Sequence, residues 1–155
     1  MKKLLNLLCV VALAIGFVSC DNSDMPDSKY QSKLVGKWSL ASITMTTAYG
    51  SSTITLPNPD MDLEALVFDL KKNGTCVVSM TAQGMSESLN GTYQVSDGKF
   101  LLTAKYEYDG EVETETTSLD IEELSGKKLV LKMSQPLDED DPSSTMDLLM
   151  TFAKK

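Results

Sequence analysis

Hydrophobic and polar residues alternate with a period of two along most of the chain after residue 34. Leu89, Tyr93 and Val95 share one parity, for example, while the intervening residues of the other parity are polar. This period is typical of antiparallel strands with one buried face. The pattern predicts eight strands, over residues 35–47, 63–70, 75–83, 89–95, 99–108, 112–124, 128–135 and 144–153.

Short turn signals separate most of these runs. Asn73-Gly74, Asp97-Gly98 and Asp109-Gly110 are dipeptides that favour tight hairpins. Eight sequential antiparallel strands with one apolar face can close into an up-and-down barrel that leaves no exposed edge. We therefore predict an all-β, eight-stranded antiparallel barrel; the alternative is a β-sandwich of two packed sheets in Greek-key order.

The alternation breaks in two strands. In the first, Ile43 has the opposite parity to Trp38, and a bulge near residues 41–42 would reconcile them. In the sixth, Glu111, Glu113 and Glu115 share the parity of the apolar positions that follow. We predict a second bulge near Thr117, because inward carboxylates without partners are costly to desolvate.

The N-terminus has the layout of a secretory signal peptide. Two lysines precede an apolar run from residue 4 to 18, which is shorter than a membrane-spanning helix requires. The sequence 17–20, Phe-Val-Ser-Cys, resembles the lipobox of bacterial lipoproteins, which implies cleavage before Cys20 and lipidation of its thiol. We predict a signal peptide over residues 1–19, a lipidated cysteine and flexible tether over 20–33, and a domain over 34–155. The expected location is the bacterial cell envelope, anchored to a membrane, with the outer membrane favoured.

Charge and composition exclude several kinds of function. Cleavage after residue 19 removes two lysines and lowers the formal net charge from −8 to −10, which argues against nucleic-acid binding. The chain contains neither histidine nor arginine, so imidazole catalysis, imidazole metal ligands and guanidinium clamps are absent. We expect no enzyme activity, metal or cofactor, and interpret the acidic residues 138–141 as a solvated loop. Cys76 is predicted to be a buried, unreactive thiol.

Gly36-Lys37-Trp38 resembles the Gly-x-Trp motif of lipocalins. The segments 91–95 and 119–124, with the C-terminal residues 147–155, are similar to lipocalin-like domains of Bacteroidetes lipoproteins. Lipocalins have an arginine that packs on this tryptophan, and this sequence contains no arginine. The resemblance implies a small cup that binds an apolar or amphiphilic molecule, with candidate ligand-binding residues Trp38, Phe68, Met80, Tyr93, Tyr106, Met133, Met150 and Phe152. The same side chains suit a filled core, which would favour an envelope accessory or protein-interaction module instead.

The order of the strands also predicts how charge is distributed. Alternate loops of an up-and-down barrel lie at the same end, so Asp60, Asp62, Glu87 and residues 109–111 and 138–141 would share one acidic end. Lys71, Lys72 and the lysines at 127–128 and 154–155 would share the other end with the tether. We expect Trp38 to close the base of the barrel at this second end.

Overall fold

The computed structural model of the protein describes residues 28–58, 60–108, 111–137 and 145–155. The expected signal peptide, Cys20 and the first part of the tether lie outside the described residues, as do residues 138–141. Within the described residues, no helix combines the length and the apolar character needed to cross a membrane.

Within the described residues there are one short helix and nine strands, named here in chain order. They are α1 (Ser28–Leu34), β1 (Gly36–Thr47), β2 (Gly50–Thr55), β3 (Leu63–Leu70), β4 (Thr75–Ala82), β5 (Met85–Ser96), β6 (Lys99–Tyr108), β7 (Glu111–Leu124), β8 (Lys128–Pro136) and β9 (Thr145–Lys154).

Strands β1 and β3–β9 form a closed, antiparallel barrel of eight strands. Each strand from β3 onwards pairs with the next, β1 pairs with β3, and the pairing of β1 with β9 closes the ring. The predicted up-and-down barrel is confirmed, and the Greek-key sandwich is wrong, because neighbours in the sequence are neighbours in the sheet. The tight turns follow the sequence signals: Asp97 and Gly98 both take positive φ, of 51° and 75°.

Strand β2 is an extra strand that the sequence analysis did not predict. It pairs with the second half of β1, where Thr44 and Thr53 share a hydrogen bond of 2.9 Å between their hydroxyls. The β-branched residues 53–55 favour a strand, but they do not form the continuous apolar face on which the other strands were predicted. Strand β3 pairs only with the first half of β1, so β2 covers the edge that β3 leaves open.

The first predicted bulge is confirmed and the second is wrong. The register of β1 against β9 shifts between Leu40 and Ser42, which turns Ile43 and Met45 inward. In contrast, β6 and β7 pair without a shift through Thr117, and the irregularity in β7 lies between Ile121 and Glu123.

The unshifted register therefore puts carboxylates on the inner face of β7. Glu113 lies opposite Tyr106 and Glu115 opposite Ala104, both on the face that carries Leu119. Glu113 is exposed and Glu115 is only half-buried. The desolvation cost that favoured a bulge is small here, because water reaches this part of the inner face.

Helix α1 lies against the base of the barrel. Leu34 is fully buried, Tyr30 packs against the core, and the Trp38 indole donates a 2.6 Å hydrogen bond to the Leu34 carbonyl. The sequence predicts a flexible tether through residue 33, but two apolar side chains four residues apart give this segment a buried face. Helix α1 is therefore packed against the domain rather than part of a flexible tether.

The lower half of the barrel is filled by large side chains. Phe68 stacks between Phe152 and Phe100, with ring centroids 4.7 and 6.1 Å away, and Tyr93 stacks on Phe100 at 5.8 Å. Trp38 is fully buried beneath them, which confirms that it closes the base. Lys154 places its ammonium 5.0 Å from the Trp38 ring and donates to the Lys33 carbonyl, so a lysine supplies the cation over this tryptophan.

Candidate functional site

Exposure of the inner face increases from the base of the barrel towards its other end on most strands, whereas Leu63 and Ala82, at the open end of β3 and β4, stay buried at 7 % and 0 %. Trp38, Phe100 and Phe152 are 0 % exposed at the base, while Met80 and Met133 in the middle are 8 % and 6 % exposed. Further up, inner-face side chains are half-buried although they point into the barrel: Ile43, Leu66, Leu89, Leu102, Ala104 and Leu148. Solvent therefore reaches an apolar lining through the open end, and the upper half is the candidate site.

The structure distributes the eight candidate ligand-binding residues over three levels. Trp38, Phe68, Tyr93 and Phe152 belong to the packed base, where their rings contact one another rather than an open space. Met80, Met133 and Met150 lie in the middle and form the floor of the accessible half. Tyr106 alone among the eight lies in the open half, opposite Glu113.

The half-buried lining residues of the open half were not among the candidates. Their alternation predicts an inward face, since Leu89 and Ala104 share the parity of their buried strand neighbours. Alternation along a strand shows which side chains point inward, but it does not show how far up the barrel the interior is filled. The predicted ligand-binding residues include many large aromatic side chains, and most of these pack together at the base.

The wall of the open half divides because several strands stop pairing. The pairing of β7 with β8 ends at Asp120–Lys132, although β7 goes on to pair with β6 and β8 goes on to pair with β9. The pairing of β5 with β6 ends at Asn90–Lys105. The β6–β7 hairpin therefore diverges from its neighbours, which widens access to the lining from the side.

Exposed apolar side chains and carboxylates surround the open end. The large hydrophobic residues that remain exposed in the described part of the chain all lie in its hairpins: Tyr49, Met85, Val112 and Leu137. Glu87 faces inward opposite Met80, and Glu113 and Glu115 face inward from β7. The open end is thus both apolar and acidic.

The two ends of the barrel differ in charge as the strand order predicted, for the loops that the structure describes. Asp60, Asp62 and Glu87 lie at the open end, and Lys71, Lys72 and Lys127 lie at the base. Carboxylates offset part of the basic character, because Asp69 lies 2.8 Å from Lys71 and Glu123 lies 2.7 Å from Lys128. Residues 138–141 belong to the segment between β8 and β9 and are not described.

The described residues contain little that could carry out chemistry. They include no group of three or more Cys, Asp or Glu side chains placed to hold a metal ion. Burial raises the pKa of the Cys76 thiol to about 11, so it is protonated and poorly nucleophilic at neutral pH.

No protein-family model matches the sequence, and a search of curated proteins finds no match. Among solved structures, a lipocalin-like protein from Bacteroides uniformis is similar over 79 % of this chain and 99 % of its own, with 19 % identity and a TM-score of 0.50. Insecticyanin from the tobacco hornworm Manduca sexta is similar over 88 % of this chain and 69 % of its own, with 12 % identity and a TM-score of 0.58. At these identities the likeness concerns the fold. The chain thus has a lipocalin-like fold: a closed eight-stranded antiparallel barrel with one extra strand.

Proposed function

We propose that this protein binds a small apolar or amphiphilic molecule in the open half of its barrel. The observation that carries the proposal is the gradient in exposure, from a solid aromatic base to an apolar lining that water reaches. A filled barrel would bury Leu66, Leu89, Leu102 and Leu148 as completely as it buries Phe100. Covering this accessible apolar surface would stabilise a complex by about 25 cal/mol per Å².

The lining suits ligands with an unbranched or irregular hydrocarbon part. Met80, Met133 and Met150 form its floor, and methionine side chains adapt to different shapes through their flexible torsions. Polar groups of the ligand would remain at the open end, near Tyr106 and the carboxylates. This division favours an amphiphile over a fully apolar compound.

A space-filling substitution tests the proposal. Ala104 faces inward opposite Gly91, so Ala104→Phe places a ring over the glycine and occupies the lining. Decanol binding, measured by displacement of the fluorescent apolar probe N-phenyl-1-naphthylamine, should weaken by about tenfold or more when the ring fills the site. Thr92→Phe on the exposed outer face of β5 is the matched control and should leave decanol binding unchanged. Absence of decanol binding, or equal binding by the two variants, would refute the proposal.

We also propose that the protein acts in the bacterial cell envelope, held to a membrane through a lipid on Cys20. The sequence 17–20 supports the anchor, and α1 supports its geometry, because the chain enters the barrel at the base. Eight residues, 20–27, would then separate the lipid from α1, a span of at most about 29 Å when extended. The open end would face away from the membrane.

Mass spectrometry of the mature N-terminus tests the anchor. Cleavage before Cys20 with an acylated cysteine is the expected result, and Cys20→Ser should release the domain from the membrane fraction. An unmodified Cys20, or cleavage elsewhere, would contradict this part of the proposal. Neither result bears on ligand binding, which the soluble domain can be tested for separately.

A protein-interaction function is the second candidate, and the exposed residues of the open end favour it. Tyr49 is 93 % exposed and Val112 is 71 % exposed, at the tips of separate hairpins. Tyrosine in particular is enriched where protein surfaces meet. If this candidate is correct, Tyr49→Ser with Val112→Ser should abolish partner binding and leave decanol affinity unaltered.

A further inference from the structure

We infer that the ligand of the open half is a cationic amphiphile, whose amine lies in a recess beside Glu115 and whose hydrocarbon part extends towards the methionine floor. The inference rests on the proposed ligand-binding function and adds the chemical class of the ligand. Three observations support it: a row of small residues on the inner wall, three carboxylates that face inward, and lysines that face outward.

The recess is formed by two small residues on adjacent strands. Gly91 on β5 pairs with Ala104 on β6, and Ala104 pairs with Glu115 on β7, so the three lie in one row across the inner wall. Neighbouring strands are about 4.8 Å apart, so the recess across these three strands is about 10 Å wide. Larger side chains border it, with Leu89 and Tyr93 on β5 and Leu102 and Tyr106 on β6.

The closeness of the strands explains why the first position is glycine. A Cβ added to Gly91 would collide with the Thr103 carbonyl oxygen and approach the Ala104 Cα at 3.2 Å. No side chain can therefore project into the recess from position 91, and only a methyl group does so from position 104. The space next to Glu115 remains available to a small ligand group.

The carboxylate beside the recess lacks a cationic partner in the described part of the chain. Glu115 is half-buried, and neither it nor Glu87 nor Glu113 makes an ion pair with a described residue. Some outer-face carboxylates are paired, as Asp120 is with Lys99 at 2.7 Å and Asp147 with Lys132 at 2.9 Å. The Glu115 carboxylate could therefore pair with a cation that a ligand supplies.

The described lysines of the strands in the open half cannot pair with Glu115. Lys105 has the opposite parity to Ala104 and lies on the outer face, where it is exposed. Lys132 also faces outward and forms an ion pair with Asp147 at 2.9 Å. A ligand ammonium would therefore be the cation that balances Glu115, with Glu113 and Glu87 strengthening the attraction at the entrance.

An anionic ligand would meet the opposite conditions. Its charge would enter a region with three inward carboxylates and, among the described inner-face residues of the open half, no positive side chain. A neutral ligand would gain only the contacts of its hydrocarbon part. The structure thus predicts the order of affinity amine, alcohol, carboxylate for ligands of equal chain length.

Decylamine, decanol and decanoate provide the test, because they share one hydrocarbon length. With the intact domain in low salt at pH 7, decylamine should bind about threefold to fivefold more tightly than decanol, and decanoate more weakly than either. Added salt should reduce the preference for decylamine without weakening decanol. Equal or tighter binding of decanoate would overturn the inference.

Charge-neutral variants locate the effect. Glu115→Gln combined with Glu87→Gln should remove most of the preference for decylamine over decanol. Glu122→Gln removes the same charge from an exposed position on the far part of β7 and is the matched control. A preference that survives in the double variant, or that Glu122→Gln reduces equally, would assign the effect to net charge and overturn the inference. If none of the three compounds binds, the proposed function itself fails, which is a distinct outcome.

Discussion

Trp38 combines burial, a hydrogen bond and a cation contact at one position. Its indole is 0 % exposed, its N–H donates to Leu34, and the Lys154 ammonium lies 5.0 Å from the ring. These contacts join α1, β1 and the end of β9. The ring therefore links the chain's entry into the barrel with its exit.

Trp38→Ala should lower the free energy of unfolding by about 3–5 kcal/mol, because the cavity under the aromatic stack cannot collapse. Urea denaturation followed by circular dichroism measures the change. Tyr49→Ala removes an aromatic ring that is 93 % exposed and should alter stability by less than about 0.5 kcal/mol. A loss below about 1 kcal/mol for Trp38→Ala would show that the ring is peripheral.

Cys76 lies on the inner face of β4, and its thiol is 2 % exposed. Burial raises its pKa from the ordinary 9.0 to about 11. The thiol therefore ionises first in the unfolded chain, so its contribution to stability is complete below pH 9 and is lost between pH 9 and about 11. The pKa of the nearby Tyr93 is raised as well, first by burial and then by Cys76.

Two measurements test this description of Cys76. Native protein should react with a thiol reagent at neutral pH only at the rate at which it unfolds, and rapid labelling would contradict the buried site. The decline in stability above pH 9 should be smaller in Cys76→Ala than in the parent protein. An identical decline in both would assign the pH dependence to other groups.

At the scale of the elements, the contact between β5 and β6 is unusually close. Gly91 lies where a Cβ would collide with the Thr103 carbonyl oxygen of the neighbouring strand. The sequence shows only a glycine inside an alternating run, which signals either a bulge or a close approach. The register is continuous there, so the structure selects the close approach.

Gly91→Ala should destabilise the domain by about 1–3 kcal/mol, since the added methyl group forces the two strands apart. Gly126→Ala is the control, because a Cβ at that turn meets nothing within 4 Å, and it should change stability by less than about 0.5 kcal/mol. Thermal unfolding of both variants gives the comparison. Equal melting temperatures would mean that the strands separate without cost.

Over the whole molecule, stability should be unevenly distributed. The base is continuous in its pairing and packed with aromatic side chains, whereas the β6–β7 hairpin loses its neighbours on both sides in the open half. Local opening is easiest where few buried contacts hold the backbone. The part that would admit a ligand is therefore also the part that is least constrained.

Amide hydrogen exchange should show this division directly. Peptides from residues 104–117 are expected to exchange at least tenfold faster than those from 128–133, which pair with neighbours on both sides or line the packed base. Bound decanol should slow exchange in the first group more than in the second. Uniform protection across both groups would argue against a divided barrel.

The sequence by itself determined where the eight barrel strands lie along the chain, the tight turns and the inward parity of nearly every strand, whereas the choice between sequential and Greek-key order came from the structure. Alternation with a period of two and Asp-Gly or Asn-Gly turns are local properties, so they can be read without knowing the fold. The bulge before Ser42 was readable for the same reason, because the parity of apolar residues changes on either side of it.

Only the tertiary structure decided how far up the barrel is filled, whether Glu113 and Glu115 face inward, and that α1 and β2 complete the ends. Each depends on the solvent exposure of a position once the strands are closed, not on the residue type alone. An inward carboxylate has a high desolvation cost in a dry core and a low one where water enters the barrel. The alternation of residues along the strand is the same in both cases, so it cannot distinguish them. The level at which the barrel opens is set by where the strands cease to pair, a contact between segments distant in the sequence.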